Sequence, residues 1–206
     1  GTMALHVRER VDMPEPGDGS QTFYWTNQQS SRLMFYHDHA WGITRLNVYA
    51  GLAGFYLLRD ANEVRLQRAG ALPDRAYEIP LLIQDRSFNA NGSLFYPDTR
   101  AFFDGITGPY IPLTDVSPIW NPEFFGDMIM VNGNTWPYQT VERRRYRFRV
   151  LNGCQSRFLI LDFGNIPGVE VWQIGNEGGF LAAPVNITAL GNLLLMGLAE
   201  RADLIV

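Results

Sequence analysis

The chain has 206 residues, 46% of them hydrophobic and 18% charged, with a formal net charge of −4. This balance supports a packed core, argues against global disorder, and lacks the basic excess of a nucleic-acid-binding protein. The single cysteine, Cys154, allows no intrachain disulfide, and no apolar run is long enough to span a membrane as a helix.

The opening GTMALHVRER lacks the apolar core of a signal peptide. From there the dominant periodicity is two, and short runs rich in aromatic and β-branched residues alternate with Gly, Asn, Asp and Pro. Expected strands are QTFYW (21–25), RLMFYHDH (32–39), GFYLLRD (54–60) and EIPLLIQD (78–85). Further strands are expected at DMIMVN (127–132), RRYRFRVLN (144–152), RFLILDF (157–163), VEVWQI (169–174) and RADLIV (201–206). Three Asn-Gly pairs, at 91–92, 132–133 and 152–153, predict tight turns. Residues 61–75 read as a linker with at most one helical turn, and 93–125 as a long loop with five prolines. In ERRRYRFRV (142–150) the alternation places Arg145, Arg147 and Arg149 on one strand face, expected to be solvated. The pattern is all-β, a sandwich or barrel in two unequal units with a boundary near 61–76. The first unit offers too few strands for a complete sandwich, and both ends look cut.

Two of the three histidines lie in FYHDHAWG (35–42). On a strand, His37 and His39 project from one face with Leu33 and Phe35, spaced ~6.5–7 Å along the chain. Two imidazoles so placed can converge on one metal or reach two neighbouring metals, and neutral imidazole suits Cu, Zn, Fe and Ni. Asp38 points the other way and reads as a hydrogen-bond acceptor. Other donors, namely His6, Cys154, Asp85 and Asp104, are not placed by the pattern. After Asp38 the next acidic residue is Asp60, which argues against a cupin. On residues alone, a metal site and a pair of ordinary histidines both stay open.

The longer stretch FYHDHAWGITRLNVYAGLAGFYLLRD (35–60) resembles the second copper-ligand motif of multicopper oxidases. It is most similar to the form found in bacterial and spore-coat laccases, bilirubin oxidases and phenoxazinone synthases. EIPLLIQDRSF, PEFFGDMIMVNGNTWPY, RRYRFRVLNGCQSRFL, WQIGNEGGFL and LAERADLIV resemble that family's second cupredoxin domain, in the family's order. The resemblance implies Greek-key cupredoxin-like sandwiches, the first incomplete. Residues 1–60 would be the C-terminal part of domain 1, 61–76 a linker, and 77–206 most of domain 2 without its last strands. It also implies a parent oxidase that takes electrons one at a time from phenols or aromatic amines and reduces dioxygen to water at a trinuclear copper cluster. His37 and His39 would be metal ligands, one on each copper of the coupled pair.

The family's remaining copper motifs are absent from the sequence. The chain is therefore expected to supply only two copper ligands and to be inactive alone. Its expected partners are the missing cupredoxin domains, dioxygen and a small aromatic substrate, with neither nucleic acid nor membrane. The alternative is a non-catalytic β-sandwich interaction module with at most a weak His-x-His metal site. Cys154, without an adjacent histidine, reads as a buried small apolar residue. Met128, Met130 and Met196 read as core, and Tyr36, Trp41 and Tyr49 as packing aromatics. NGS (91–93) and NIT (186–188) match the N-glycosylation sequon, a frequent chance pattern.

Overall fold

Strands make up most of the regular secondary structure among the described residues, and each face of the main sheet meets a different kind of core. The structure is a computed structural model that describes residues 25–97, 105 and 123–206. Strands β3 (Glu78–Arg86), β4 (Met128–Val131), β5 (Asn134–Thr135), β6 (Arg147–Asn152), β8 (Trp172–Asn176), β9 (Gly179–Asn186) and β11 (Arg201–Ile205) form one sheet. Its order is β5-β4-β3-β6-β11-β8-β9. Only β3 and β6 run parallel, with Glu78 opposite Arg147. Strands β7 (Leu159–Asp162) and β10 (Leu193–Met196) pair separately, as do β1 (Arg32–His37) and β2 (Ala53–Leu58). The all-β expectation holds.

One face of the main sheet carries Ile83, Val150, Ala202 and Leu204, which pack with Leu159 and Met196 of the β7/β10 pair and with Cys154, Val171 and Ile187. This apolar layer is a sandwich core, stabilised by removing hydrocarbon from water. The expected buried places of Cys154 and Met196 are correct, but Met128 is 38% exposed at the start of β4. The outer face of the β7/β10 pair stays apolar and open, with Ile160 and Leu195 opposite one another and both exposed.

The opposite face is charged and yet equally dry. Arg147 and Arg149 are 0% and 1% exposed, so the expected solvated arginine face is wrong for both; only Arg145 is exposed. The reason is a set of convergent carboxylates that matches the arginines in number. Arg147 grips Asp203 with Nε at 2.8 Å and Nη2 at 2.5 Å, and its Nη1 lies 3.2 Å from Glu63 and 3.4 Å from Glu78. Arg149 reaches Glu78 at 3.3 Å and Asp203 at 3.7 Å. Arg59 closes the group on Glu63 and Glu78. Three arginines thus neutralise three carboxylates, the condition under which charges tolerate burial.

Glu63 comes from helix α2 (Ala61–Arg68), where the sequence suggests one turn at most. The missed signal is a cap: the Asp60 side chain accepts from Glu63 N at 2.7 Å, an Asp-x-x-Glu start. Glu63 also accepts a short hydrogen bond from the hydroxyl of Ser31, the residue before β1, tying the start of that strand to α2. A second unexpected helix, α1 (Thr44–Ala50), links β1 to β2.

Strands β5, β9 and β10 are also unexpected. β9 contains Ala-Ala-Pro, poor strand formers tolerated because β9 is an edge strand. Of the Asn-Gly pairs, Asn132 (φ 50°) and Gly133 (φ 82°) make the two-residue hairpin joining β4 to β5. Asn91–Gly92 caps the loop after β3, where Gly92 N donates to Asn89 O. Asn152–Gly153 is no turn. Asn152 ends β6, and its side chain bonds Arg157 O, Met196 O and Cys154 N. QTFYW apart from Trp25, His6, Asp104 and most of the proline-rich segment lie outside the described residues. Among the described residues no helix is long and apolar enough to cross a membrane.

Candidate metal centre

β1 ends at His37, so His39 lies past the strand rather than within it. The two rings nevertheless share a side: their centroids are 5.5 Å apart with planes inclined by 28°, and Phe35 stacks next in the row, 5.0 Å from His37. His37 Nδ1 sits 2.6 Å from the carbonyl oxygen of Asp38. A carbonyl only accepts, so Nδ1 is the donor and carries a proton, and in the neutral ring the lone pair is then on Nε2. Both side chains are exposed.

The turn carrying His39 is held by its neighbours. Asp38 Oδ1 accepts from Ala40 N at 3.1 Å and from Asn47 Nδ2 at 3.0 Å, and Thr44 Oγ1 donates to Ala40 O at 2.8 Å. Asp38 is thus the structural acceptor expected. Asn47 and Thr44 were not singled out from the sequence, because their role depends on a helix the periodicity did not show. That helix is anchored in turn. Tyr49, 3% exposed, donates to Phe95 O at 2.8 Å and accepts from Ser87 N at 2.8 Å, with the Arg86 guanidinium 4.7 Å from its ring centre. Burial raises the Tyr49 pKa above its usual value, against the lowering by its backbone bond to Ser87, so the phenol stays protonated. Tyr49 packs as expected, whereas Tyr36 and Trp41 are 59% and 78% exposed.

Of the other candidate donors, Cys154 and Asp85 are not brought to the pair. Cys154 is buried, and that burial, reinforced by the nearby Asp85 carboxylate, pushes its thiol up to about 12. Asp85, 0% exposed, is engaged by Gly126 N at 2.7 Å, Gln155 N at 3.3 Å and Arg157 Nε at 3.4 Å. Among the described residues no group of three or more His, Cys, Asp or Glu side chains is placed to hold a metal ion.

No family model matches the chain. A laccase from Bacillus subtilis (strain 168) is 42% identical over 186 residues, covering 90% of this chain and 33% of that protein. Multicopper oxidase LPR2 of Arabidopsis thaliana is 38% identical over 187 residues, covering 90% of this chain and 29% of that protein. The chain is homologous to the multicopper oxidases. It spans about a third of the length of these relatives. The crystal structure of McoA multicopper oxidase from Aquifex aeolicus aligns with a TM-score of 0.66 at 35% identity, over 86% of this chain and 34% of that one. The match places the sheets described above in the cupredoxin-like sandwich class.

Homology to multicopper oxidases implies copper, and the residues present fit it in part. A row of imidazoles with one tautomer fixed is a nitrogen donor set of the kind copper takes, and the fixing bond from Nδ1 is the usual outer support of a histidine ligand. Among the described residues the set is two donors, too few to enclose the ion.

Proposed function

We propose that this chain is the copper-ligating and bridging part of a laccase-like multicopper oxidase, with His37 and His39 as its two metal ligands. In this reading residues 1–60 are the end of a first cupredoxin domain, 61–76 a linker and 77–206 most of a second. Copper held between this segment and further cupredoxin domains, as a trinuclear cluster, supplies one-electron transfer to dioxygen from phenolic or aromatic-amine substrates. The observation that carries the reading is the His37 tautomer: Nδ1 is committed to the Asp38 carbonyl, so Nε2 is presented as a ligand. The chain's own residues do the positioning. β1 holds His37, while the Asp38–Asn47 and Thr44–Ala40 bonds hold the turn bearing His39.

The test is Cu(II) titration of the 206-residue chain, followed by electron paramagnetic resonance. Nitrogen-ligated Cu(II) that is lost in both His37→Ala and His39→Ala is expected, without the intense blue of a Cu–thiolate site. A copper signal unchanged by both substitutions would overturn the assignment. The exposure of both histidines favours a second reading, a non-catalytic module with a weak site. Substrate-dependent oxygen uptake that appears when the copper-loaded chain is joined to the remaining cupredoxin domains, and is lost in His37→Ala, would exclude that second reading.

A further inference from the structure

The three Asn-Gly pairs share one chemistry and differ in what the fold does with it. In such a pair the glycine nitrogen can attack the asparagine side-chain carbonyl carbon. A bond forms from N to Cγ, the Cγ–Nδ2 bond breaks, and ammonia leaves with the proton from the attacking nitrogen. Water then opens the cyclic imide at either carbonyl, giving aspartate or isoaspartate. The attack needs an uncrowded glycine, a free amide nitrogen and a polarised carbonyl.

From these requirements we propose that Asn91 is a site of spontaneous modification in this protein, converting to aspartate and isoaspartate while Asn132 and Asn152 are protected. Asn91 is exposed, and its Oδ1 accepts from both Ser93 N at 3.1 Å and Ser93 Oγ at 2.7 Å, which draws electron density from Cγ. Its Nδ2 has no partner among the described residues. Gly92 is in open space, with nothing within 4 Å of where a Cβ would be. One bond must open, Gly92 N to Asn89 O at 2.8 Å.

The other two are clamped by their side chains. Asn132 accepts from Leu82 N at 2.8 Å and donates to Pro80 O at 2.9 Å. Asn152 is 0% exposed and uses Nδ2 twice and Oδ1 once. Its conversion requires unfolding of the core. At Asn132 the side chain is held at both ends by the backbone of the neighbouring strand β3, whereas the bonds of Asn91 stay within its own turn and leave Nδ2 unengaged among the described residues, so conversion at Asn91 is expected to be faster.

The change matters locally because the loop is tied to α1. Phe95 O, two residues beyond Ser93, accepts the Tyr49 hydroxyl. An isoaspartyl link lengthens the backbone within that loop.

The experiment is peptide mapping with isoaspartate detection after incubating the folded chain in mildly alkaline buffer, in parallel with a chain kept in denaturant. Conversion at Asn91 ahead of Asn132, with Asn152 intact, is expected in the folded sample. Comparable conversion at all three is expected in denaturant. Ser93→Ala, which removes the Oγ donor, should slow Asn91 in the folded sample and leave its rate in denaturant close to that of the parent. Equal or faster conversion at Asn132 or Asn152 in the folded chain, or no preference for Asn91 there, would overturn the proposal.

Discussion

Removing Arg147 tests whether the charged layer is a cohesive part of the fold. Its guanidinium is 0% exposed and meets Asp203 through two nitrogens while Nη1 faces Glu63 and Glu78. In Arg147→Met the three carboxylates face only Arg59 and Arg149, leaving one net negative charge without compensation in a dry site. Breaking a buried pair in this way costs about 3–5 kcal/mol. That is a large fraction of the about 5–15 kcal/mol that holds a domain together. With a urea slope of about 2 kcal/mol/M, the unfolding midpoint should fall by roughly 2 M. Arg149→Met should cost less. Its contacts are longer, at 3.3 Å and 3.7 Å, and its Nε has no hydrogen-bond partner among the described residues. Burial and the adjacent Arg147 charge lower its pKa, so it is the less well compensated of the two. The double change Arg147→Met with Asp203→Leu should recover part of the loss, because the stranded carboxylate goes with its partner. The assay is equilibrium urea unfolding followed by tryptophan fluorescence and circular dichroism. A loss below about 1 kcal/mol for Arg147→Met, or a larger one for Arg149→Met, would refute the reasoning.

Three more outcomes follow from particular groups. Burial alone would raise the Glu78 pKa, but its hydrogen bond to Arg59 and the charges of Arg147, Arg149 and Arg59 overcome this and hold it below the usual value. A depressed folded pKa gives stability that is present above the ordinary glutamate value, about 4.3, and lost as pH falls through the lower folded value. Urea midpoints should therefore drop on acidification and do so less steeply in Glu78→Gln. Gly126→Ala should destabilise by about 1–3 kcal/mol, read as a lower melting temperature, because a Cβ there would lie 2.5 Å from the backbone nitrogen of Arg86. Cys154 should resist alkylating reagents in the folded chain and label at the rate of unfolding, since its thiol is buried and raised to about 12; prompt labelling of the folded chain would contradict the core placement.

The alternation that makes strands was legible wherever apolar and polar residues took strict turns. β3, β6 and β11 came out within a few residues of their structural bounds. It was misleading for Arg147 and Arg149, because period two assigns a face but not what lies across from it. Glu63, Glu78 and Asp203 come from distant parts of the chain, and only the folded topology brings them to one place. The helices were missed for a related reason. α1 has seven residues and α2 eight, too short for a 3.6-residue period to stand out, though Asp60–Glu63 carried a readable cap. At the candidate metal centre the histidines were visible as residues, while the support from Asn47 and Thr44 depends on α1 being helical.

Strand order also imposes an order in time. β11 pairs with β6 on one side and β8 on the other, and β3 pairs in parallel with β6 across some sixty residues of chain. The β8/β9 hairpin can form locally, yet it cannot join the sheet until β11 has been made and inserted between it and β6. Asp203 rides on that strand, so Arg147 waits for its principal counter-ion until the same moment. During synthesis, then, β6 is a strand with two arginines and an unfilled edge. Long-range pairings of this kind close slowly, and the interval before closure is when a chaperone or an aggregation partner would meet the chain.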